Sequence, residues 1–422
     1  MSAHTQDQIA ESIFPIQDIR SAFPALARSA PFIFFDNAAG AQAPQEAIDA
    51  VLRHLLDCNV QRGGRYSKSQ DVDAGISRAR ASVASFLNAY QNSEVAFGMN
   101  ATSFIRLISL AIGQSLEGER CEIVVTDMDH EANVATWIDL ERYGAKCRWW
   151  RMREDGTLNV ADLEPLLSPR TRLVACTVAS NALGTIVNVA AAARYAHSVG
   201  AEIFLDCVHY APHGPIDVRQ WDCDYLVCSG YKIFAPHMGF LWGREETLQR
   251  LATFREDFLP DRPPEKIEAG TFIYENVAGL DAAISYLESL GERVSADSGS
   301  DSRRANLLAA MEAISAYERA LSQQLLTTLA DRGAIIYGVC DLAELHQRVP
   351  TVLFNLPGMT PEAVVEGLAR KGIGARDGHM YAPRLMRRLG LSPESGAVRV
   401  SLAHYNTKEE IAFLGEVLDG LF

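Results

Sequence analysis

Lys232, Asp206 and the run Asn100-Ala101-Thr102 are the residues whose types and positions suggest chemistry. Lys232 stands in SGYKIFAPHMG, directly after the apolar run DYLVCS (224–229). A lysine so placed is poorly sited for a solvated surface charge and suits an amine kept nucleophilic by its surroundings, as a Schiff-base lysine requires. For the residue alone, an ordinary strand-end lysine is the alternative. Asp206 closes AEIFLD (201–206). A carboxylate at a strand's carboxyl end can cap a buried cation such as a protonated pyridine nitrogen, or serve as a helix N-cap or turn residue. GMNATSFIRLISLAI puts Asn100, Ala101 and Thr102 at the start of a helix. There the free N–H groups and the positive dipole end make a phosphate cradle, with simple capping by Asn100 as the alternative. Neither GxGxxG nor a Walker A run occurs. In this order, a helix-start cradle, a strand-end Asp and a Lys after the next strand fit pyridoxal phosphate.

These residues need a framework. From Phe32 to about Tyr286 short apolar runs alternate with amphipathic stretches, the pattern of βαβ units around a mostly parallel sheet. Predicted strands are 94–99, 121–126, 172–178, 201–206 and 224–229, with helices over 102–116 and 189–200, the latter ending in a glycine that suits a helix C′ position. In open α/β sheets ligands bind outside the carboxyl ends of strands, where the polar residues above fall. The polar stretch 291–304 marks a boundary. Beyond it lie a long helix (304–332), IIYGV, TVLFNL, a helix over 361–371, GIGAR and VRVSLAHY, a smaller α+β unit. The expected division is a large domain over 31–290 and a small C-terminal domain over 291–422, with residues 1–30 packing on the latter.

The 422 residues carry 39 Lys and Arg against 53 Asp and Glu, a net charge of −14 that gives no broad attraction to nucleic acid or anionic membranes. No apolar run reaches the length of a membrane span. The polar start MSAHTQDQIAES lacks a basic-then-apolar signal pattern. The eight scattered cysteines then read as reduced thiols in a cytoplasm. Cys223 and Cys228 lack a second Cys/His pair at zinc spacing and read as small buried side chains.

The ordered motifs FFDNAAGAQAP, DMDHEAN, SNALGT, DCVHYAPH, SGYK, EAGT, ARDGH and RVSLAHYNT resemble the class V aminotransferase superfamily of fold-type I pyridoxal-phosphate enzymes. Within it they are most similar to group II cysteine desulfurases and selenocysteine lyases, from about residue 30 onward. The resemblance implies an α/β fold-type I architecture, with a seven-stranded, mostly parallel sheet and a smaller C-terminal domain. It implies that Lys232 binds the cofactor covalently and shuttles the substrate's α-proton, and that Asp206 keeps the pyridine nitrogen protonated. His130, otherwise a surface or N-cap histidine, would stack on the ring. Asn181 would bond the phenolic oxygen or the substrate carboxylate region. Ala101 and Thr102, with Asn100, Ser229 and Tyr231 beside them, would hold the phosphate. Thr271 would reach the phosphate of a neighbouring subunit, implying a homodimer with shared sites. Arg399 would clamp the substrate α-carboxylate, with Arg376 a second contact and Ala38 also on the substrate side; for either arginine alone a surface ion pair is the alternative.

Three positions depart from the family pattern. Tyr231 replaces a phosphate-binding histidine, and His209 replaces a glutamine near the phenolic oxygen. Tyr381 stands where desulfurases carry the persulfide-forming cysteine, and no cysteine follows Cys340. A phenol cannot accept sulfane sulfur. Tyr381 is then either a catalytic group or a filler of volume. The expected function is a pyridoxal-phosphate enzyme acting on an α-amino acid, most simply by β-elimination of the C–S lyase kind without a loop persulfide. The alternatives are transamination or epimerisation on the same residues, or a non-catalytic protein that binds the cofactor or a partner.

Overall fold

The computed structural model describes residues 14–116, 120–295 and 302–421. Seven strands form the large sheet: β1 (Val95–Gly98), β2 (Glu122–Thr126), β3 (Lys146–Trp150), β4 (Thr171–Thr177), β5 (Glu202–Asp206), β6 (Tyr225–Ser229) and β7 (Gly239–Gly243). Their order is β1-β7-β6-β5-β4-β2-β3. The β2–β3, β2–β4, β4–β5 and β5–β6 pairs are parallel, while β7 runs antiparallel to both β1 and β6, so the sheet is mixed. β3 and β7 were not among the strands expected from sequence. KCRWW is partly exposed at the sheet edge, and GFLWG, though buried throughout, is bounded by two glycines that cut its apolar run short in the sequence.

β2, β4, β5 and β6 read as continuous apolar runs because both faces of the sheet are covered. Their alternate residues feed two cores: Val124, Val174, Ile203, Leu205 and Leu226 on one face, and Ile123, Val125, Leu173, Phe204 and Val227 on the other. Helix α1 (Ala101–Gln114) packs Phe104, Ile105, Ile108 and Ile112 into the second core, the spacing of one helical face. Helix α2 (Val189–Ser198) covers the opposite face, and the chain turns after it at Gly200, whose φ of +74° suits glycine.

A smaller C-terminal α+β domain follows. Helix α3 (Tyr274–Val294) runs three residues past the expected boundary at 291, and much of the polar stretch 291–304, residues 296–301, lies outside the described residues. Helix α4 (Arg303–Ala330) packs along α3. The small sheet comprises β8 (Ile335–Tyr337), β9 (Thr351–Asn355), β10 (Arg376–Gly378) and β11 (Ala397–Ser401), antiparallel in the order β10-β11-β9-β8. Of the N-terminal segment, residues 14–30 are described. Phe14 stacks on Tyr317 at 4.3 Å, and Arg20 bonds Glu410 at 2.9 Å. Ile33–Phe34 then pairs in parallel with Ile373–Gly374. No described helix is long and apolar enough to cross a membrane.

Candidate active site

A cavity of about 810 Å³ opens at the carboxyl ends of β4, β5 and β6 and is closed from the other side by β10 and β11. It gathers Ala38, Asn100, Ala101, Thr102, His130, Asn181, Asp206, His209, Ser229, Tyr231, Lys232, Arg376, Tyr381 and Arg399 around one space. Thr271 alone among the expected site residues stands apart. It is exposed, outside this cavity, and accepts a hydrogen bond from Gln61 Nε2 at 2.7 Å.

At the sheet end, β5 terminates in Asp206 and the neighbouring β6 in Ser229, so the parallel register brings their side chains to one wall. Asp206 is buried and accepts the Val208 N–H at 3.0 Å. Burial raises its carboxyl to about 6, opposed by that N–H and by Lys232. Lys232 follows β6 in a single 3₁₀ turn, 8% exposed, and its Nζ donates to the Ala38 carbonyl. Burial, then the positive charge of Arg399, brings its amine down to about 7, with Asp36 and Asp206 pulling the other way. His130 is lowered to about 4 by burial, Lys232 and Arg399, so it is a neutral ring at ordinary pH.

The helix end is a cradle. Asn100 caps α1 by accepting the Ser103 N–H at 2.9 Å. Ser229 Oγ accepts the Ala101 N–H at 3.2 Å, so that donor is already engaged. The Thr102 N–H, in the first turn, has no intrahelical acceptor. Gly239 makes the close approach possible: a Cβ there would lie 2.6 Å from Asn100 Cα, inside any tolerable contact. Tyr231 stacks on His237 at 4.8 Å beside the cradle, so an aromatic pair holds the place expected of a phosphate-binding imidazole. His209 is buried, its Nε2 3.0 Å from Thr351 Oγ1, and burial, His213 and Lys232 keep it well below the usual imidazole range.

At the small-domain end, Arg399 projects from β11 and is 1% exposed. Its Nη1 donates to the Asn181 carbonyl at 2.9 Å and its Nη2 to Asp36 at 2.8 Å, while Nε is buried without a partner. Arg376, facing Arg399 across the β10–β11 pairing, holds the other oxygen of Asp36 through Nε and Nη2 at 2.9 and 2.7 Å. Asn181 spends its Nδ2 on the Met380 carbonyl at 2.7 Å and leaves Oδ1 buried and unpartnered. That bond helps clamp a strained turn. Met380 and Tyr381 both have left-handed φ, +52° and +57°, at roughly 1–2 kcal/mol each for residues bearing a Cβ. The Glu131 N–H donates to the Tyr381 carbonyl at 2.8 Å, and Glu131 pairs with Arg384 at 3.1 Å. The Tyr381 ring, half exposed, lies 5.7 Å from His130 at the mouth.

Sequence reasoning missed Asp36, although it sits inside the motif FFDNAAG. It missed also Arg106, His237 and Thr177, which line the cavity, and the His209 partner Thr351. The adjacency of Asp36 to the alanines of that motif was the available signal. Nothing local marked Thr351.

Residues 33–414 match the family described as Aminotransferase class-V. The chain belongs to the class V aminotransferase family. An aminotransferase-like protein of Gibberella zeae is 34% identical over 415 residues, covering 96% of this chain and 97% of that protein. A cysteine desulfurase of Synechococcus elongatus is 32% identical over 96% of this chain, which spans only 63% of that enzyme's length. Among solved structures, a cysteine desulfurase from Thermococcus onnurineus superposes with a TM-score of 0.85 at 26% identity, over 97% of this chain and 98% of that one. The fold is the fold-type I arrangement, and the chain is a pyridoxal-phosphate-dependent enzyme of this cysteine-desulfurase-like family.

The donor set fits that cofactor. A buried amine and a buried carboxylate occupy one wall, a helix start with an unspent N–H lies at one end, and Asn181 Oδ1 and Arg399 Nε await partners at the other. Lys232 and Asp206 would hold the ring, α1 and Ser229 the phosphate.

Proposed function

We propose that this enzyme removes the α-proton of an amino acid and expels its β-substituent, C–S lyase chemistry without any protein-bound sulfur. The observation that carries this reading is that, among the described residues, no cysteine lines the cavity. Cys176, Cys207, Cys223 and Cys228 are buried in the core, and Cys340 is exposed and not among the lining residues. Burial pushes the Cys176 and Cys207 thiols up, so they are poor nucleophiles where they stand. Tyr381 holds the rim where a sulfur acceptor would be required.

The roles of the residues follow from their environments. Pyridoxal phosphate, when bound, supplies the electron sink for charge left at the α-carbon. Lys232, with its amine brought close to neutral pH, is the group suited to carry the α-proton. Asp206, buried and with its carboxyl raised to about 6, would hold a cation of the cofactor. Neutral His130 offers a flat face rather than a charge. Arg399 and Arg376 would draw the carboxylate through the donors that Asp36 and Asn181 leave unused. The Tyr381 ring screens the mouth from water.

Incubation with cysteine, S-substituted cysteines and alanine, with assay of pyruvate, sulfide or thiol, and pyridoxamine phosphate, tests the proposal. Equimolar pyruvate and thiol are expected; their absence with every amino acid would sink it. A second reading, transamination or epimerisation, draws on Tyr381 and Lys232 being two proton-bearing groups contributed by different domains to one cavity. Deuterium incorporation at the α-carbon without pyruvate would favour it.

The proposal includes a homodimer in which Thr271, exposed and away from its own cavity, serves the partner's phosphate site; sedimentation of wild type and Thr271→Ala, with cofactor affinity, tests it. It includes a cytoplasmic setting, supported by eight free cysteines. The domain division at 31–290 and 291–422, with the N-terminal segment on the small domain, is proposed on the contacts of Phe14 and Arg20 and is open to limited proteolysis.

A further inference from the structure

Behind the substrate end of the cavity, three charges are tied together. One oxygen of Asp36 meets Arg399 at 2.8 Å, and the other meets Arg376 at 2.9 and 2.7 Å. Both arginines line the cavity and Asp36 does not. Asp36 is held from behind, because its segment is pinned to β11: the Ser401 N–H donates to the Phe35 carbonyl at 2.7 Å and the Ala38 N–H to Ser401 Oγ at 2.8 Å. Two guanidinium charges less one carboxylate leave a single positive charge facing the substrate. The donors not used by Asp36 or Asn181 are few. They are the buried Nε of Arg399 and the Nη1 of Arg376, which engages nothing among the described residues. Of the other cations of the cavity, Lys232 lies close enough to feel Arg399, Asp36 and Arg376 but is the amine the cofactor would take up, and Arg106 belongs to the helix end.

We propose that Asp36 is a positioning residue that sets substrate charge: by cancelling one of two guanidinium charges it leaves a subsite for one carboxylate. The enzyme therefore takes amino acids with uncharged side chains and discriminates against dicarboxylic ones. This names the substrate class for the function proposed above and rests on that reading only for the reaction, since carboxylate binding is measured without turnover.

The test is calorimetric titration of cofactor-saturated protein with propionate and with succinate at fixed ionic strength. The variants are Asp36→Asn, Arg376→Gln and the double variant, with cofactor content read separately by absorbance. Wild type is expected to bind succinate no tighter than propionate. In Asp36→Asn the local charge rises to two, and succinate should gain about tenfold relative to propionate. In Arg376→Gln it falls to zero, and both ligands should weaken about tenfold. The double variant restores a single charge and should return to the wild-type ratio, which a purely structural role for Asp36 would not bring about. An unchanged ratio in Asp36→Asn, or a double variant that fails to return, overturns the proposal. If Asp36→Asn does not fold, Arg376→Gln decides: its side chain is 38% exposed, and undiminished propionate binding refutes the charge count. A protein that takes up no pyridoxal phosphate refutes the function proposed above; titrated as purified, it tests this inference by the same ratios.

Discussion

Asp206, Ser229 and Lys232 hang from the ends of two adjacent parallel strands, and their mutual placement is set by the register of β5 against β6. The opposite end of the cavity is assembled from Asp36, Asn181, Arg376, Met380 and Arg399, which lie up to 363 residues apart and are joined through side-chain bonds. The first region is rigid because sheet hydrogen bonds place it before any side chain acts. The second is a network in which each member holds the next, so its parts should be strongly coupled. On the proposed function, the chemistry sits on the fixed geometry of a sheet, while substrate choice sits on contacts that a few substitutions can rewire.

Lys232→Ala should break the sheet end most severely, lowering kcat by about a thousandfold or more and abolishing the absorbance of covalently bound cofactor while leaving the fold intact. At the network end, Arg399→Lys should lower kcat/KM by about a hundredfold, mainly through KM, because an ammonium cannot reproduce the fork that joins Asp36, Asn181 and the carboxylate; an effect confined to kcat would contradict that assignment. Gly239→Ala tests whether the cradle depends on backbone proximity. Its Cβ must displace Asn100, costing about 1–3 kcal/mol of stability, and cofactor affinity should fall with it, as fluorescence titration would show.

A pH series on cofactor-free protein sharpens the contrast further. Lys232 sits at about 7 when folded against 10.5 for a free lysine. Between those values the unfolded chain holds a proton that the folded one lacks, so wild-type stability from this group rises with pH. Lys232→Met should therefore raise the melting temperature most near pH 7 and below, the gain shrinking towards 10.5. Tyr381→Phe should have the smallest effect, within about threefold in the elimination rate, since a half-exposed ring that only screens the mouth keeps its volume. A large loss would make the phenol a proton carrier and favour the second reading.

Much of the first region was legible beforehand. Continuous apolar runs mark β2, β4, β5 and β6, and a polar residue at the end of such a run can only face the carboxyl edge of the sheet. The edge strand β3 and the glycine-bounded β7 lacked that signature and were not expected. Tyr231, His209 and Tyr381 were recognisable as departures, but their partners were not: His237, Thr351 and His130 meet them through tertiary contacts that no spacing encodes.

What the sequence alone determined was five of the seven strands, the helix start and the amine and carboxylate at strand ends, because local periodicity and covalent adjacency dictate them. That Asp36 faces two arginines more than 300 residues away and that Asn181 spends its amide on a loop were decided only by the packing of one domain on the other. Charge pairing across domains depends on distances between backbones, and those exist only after both cores have formed.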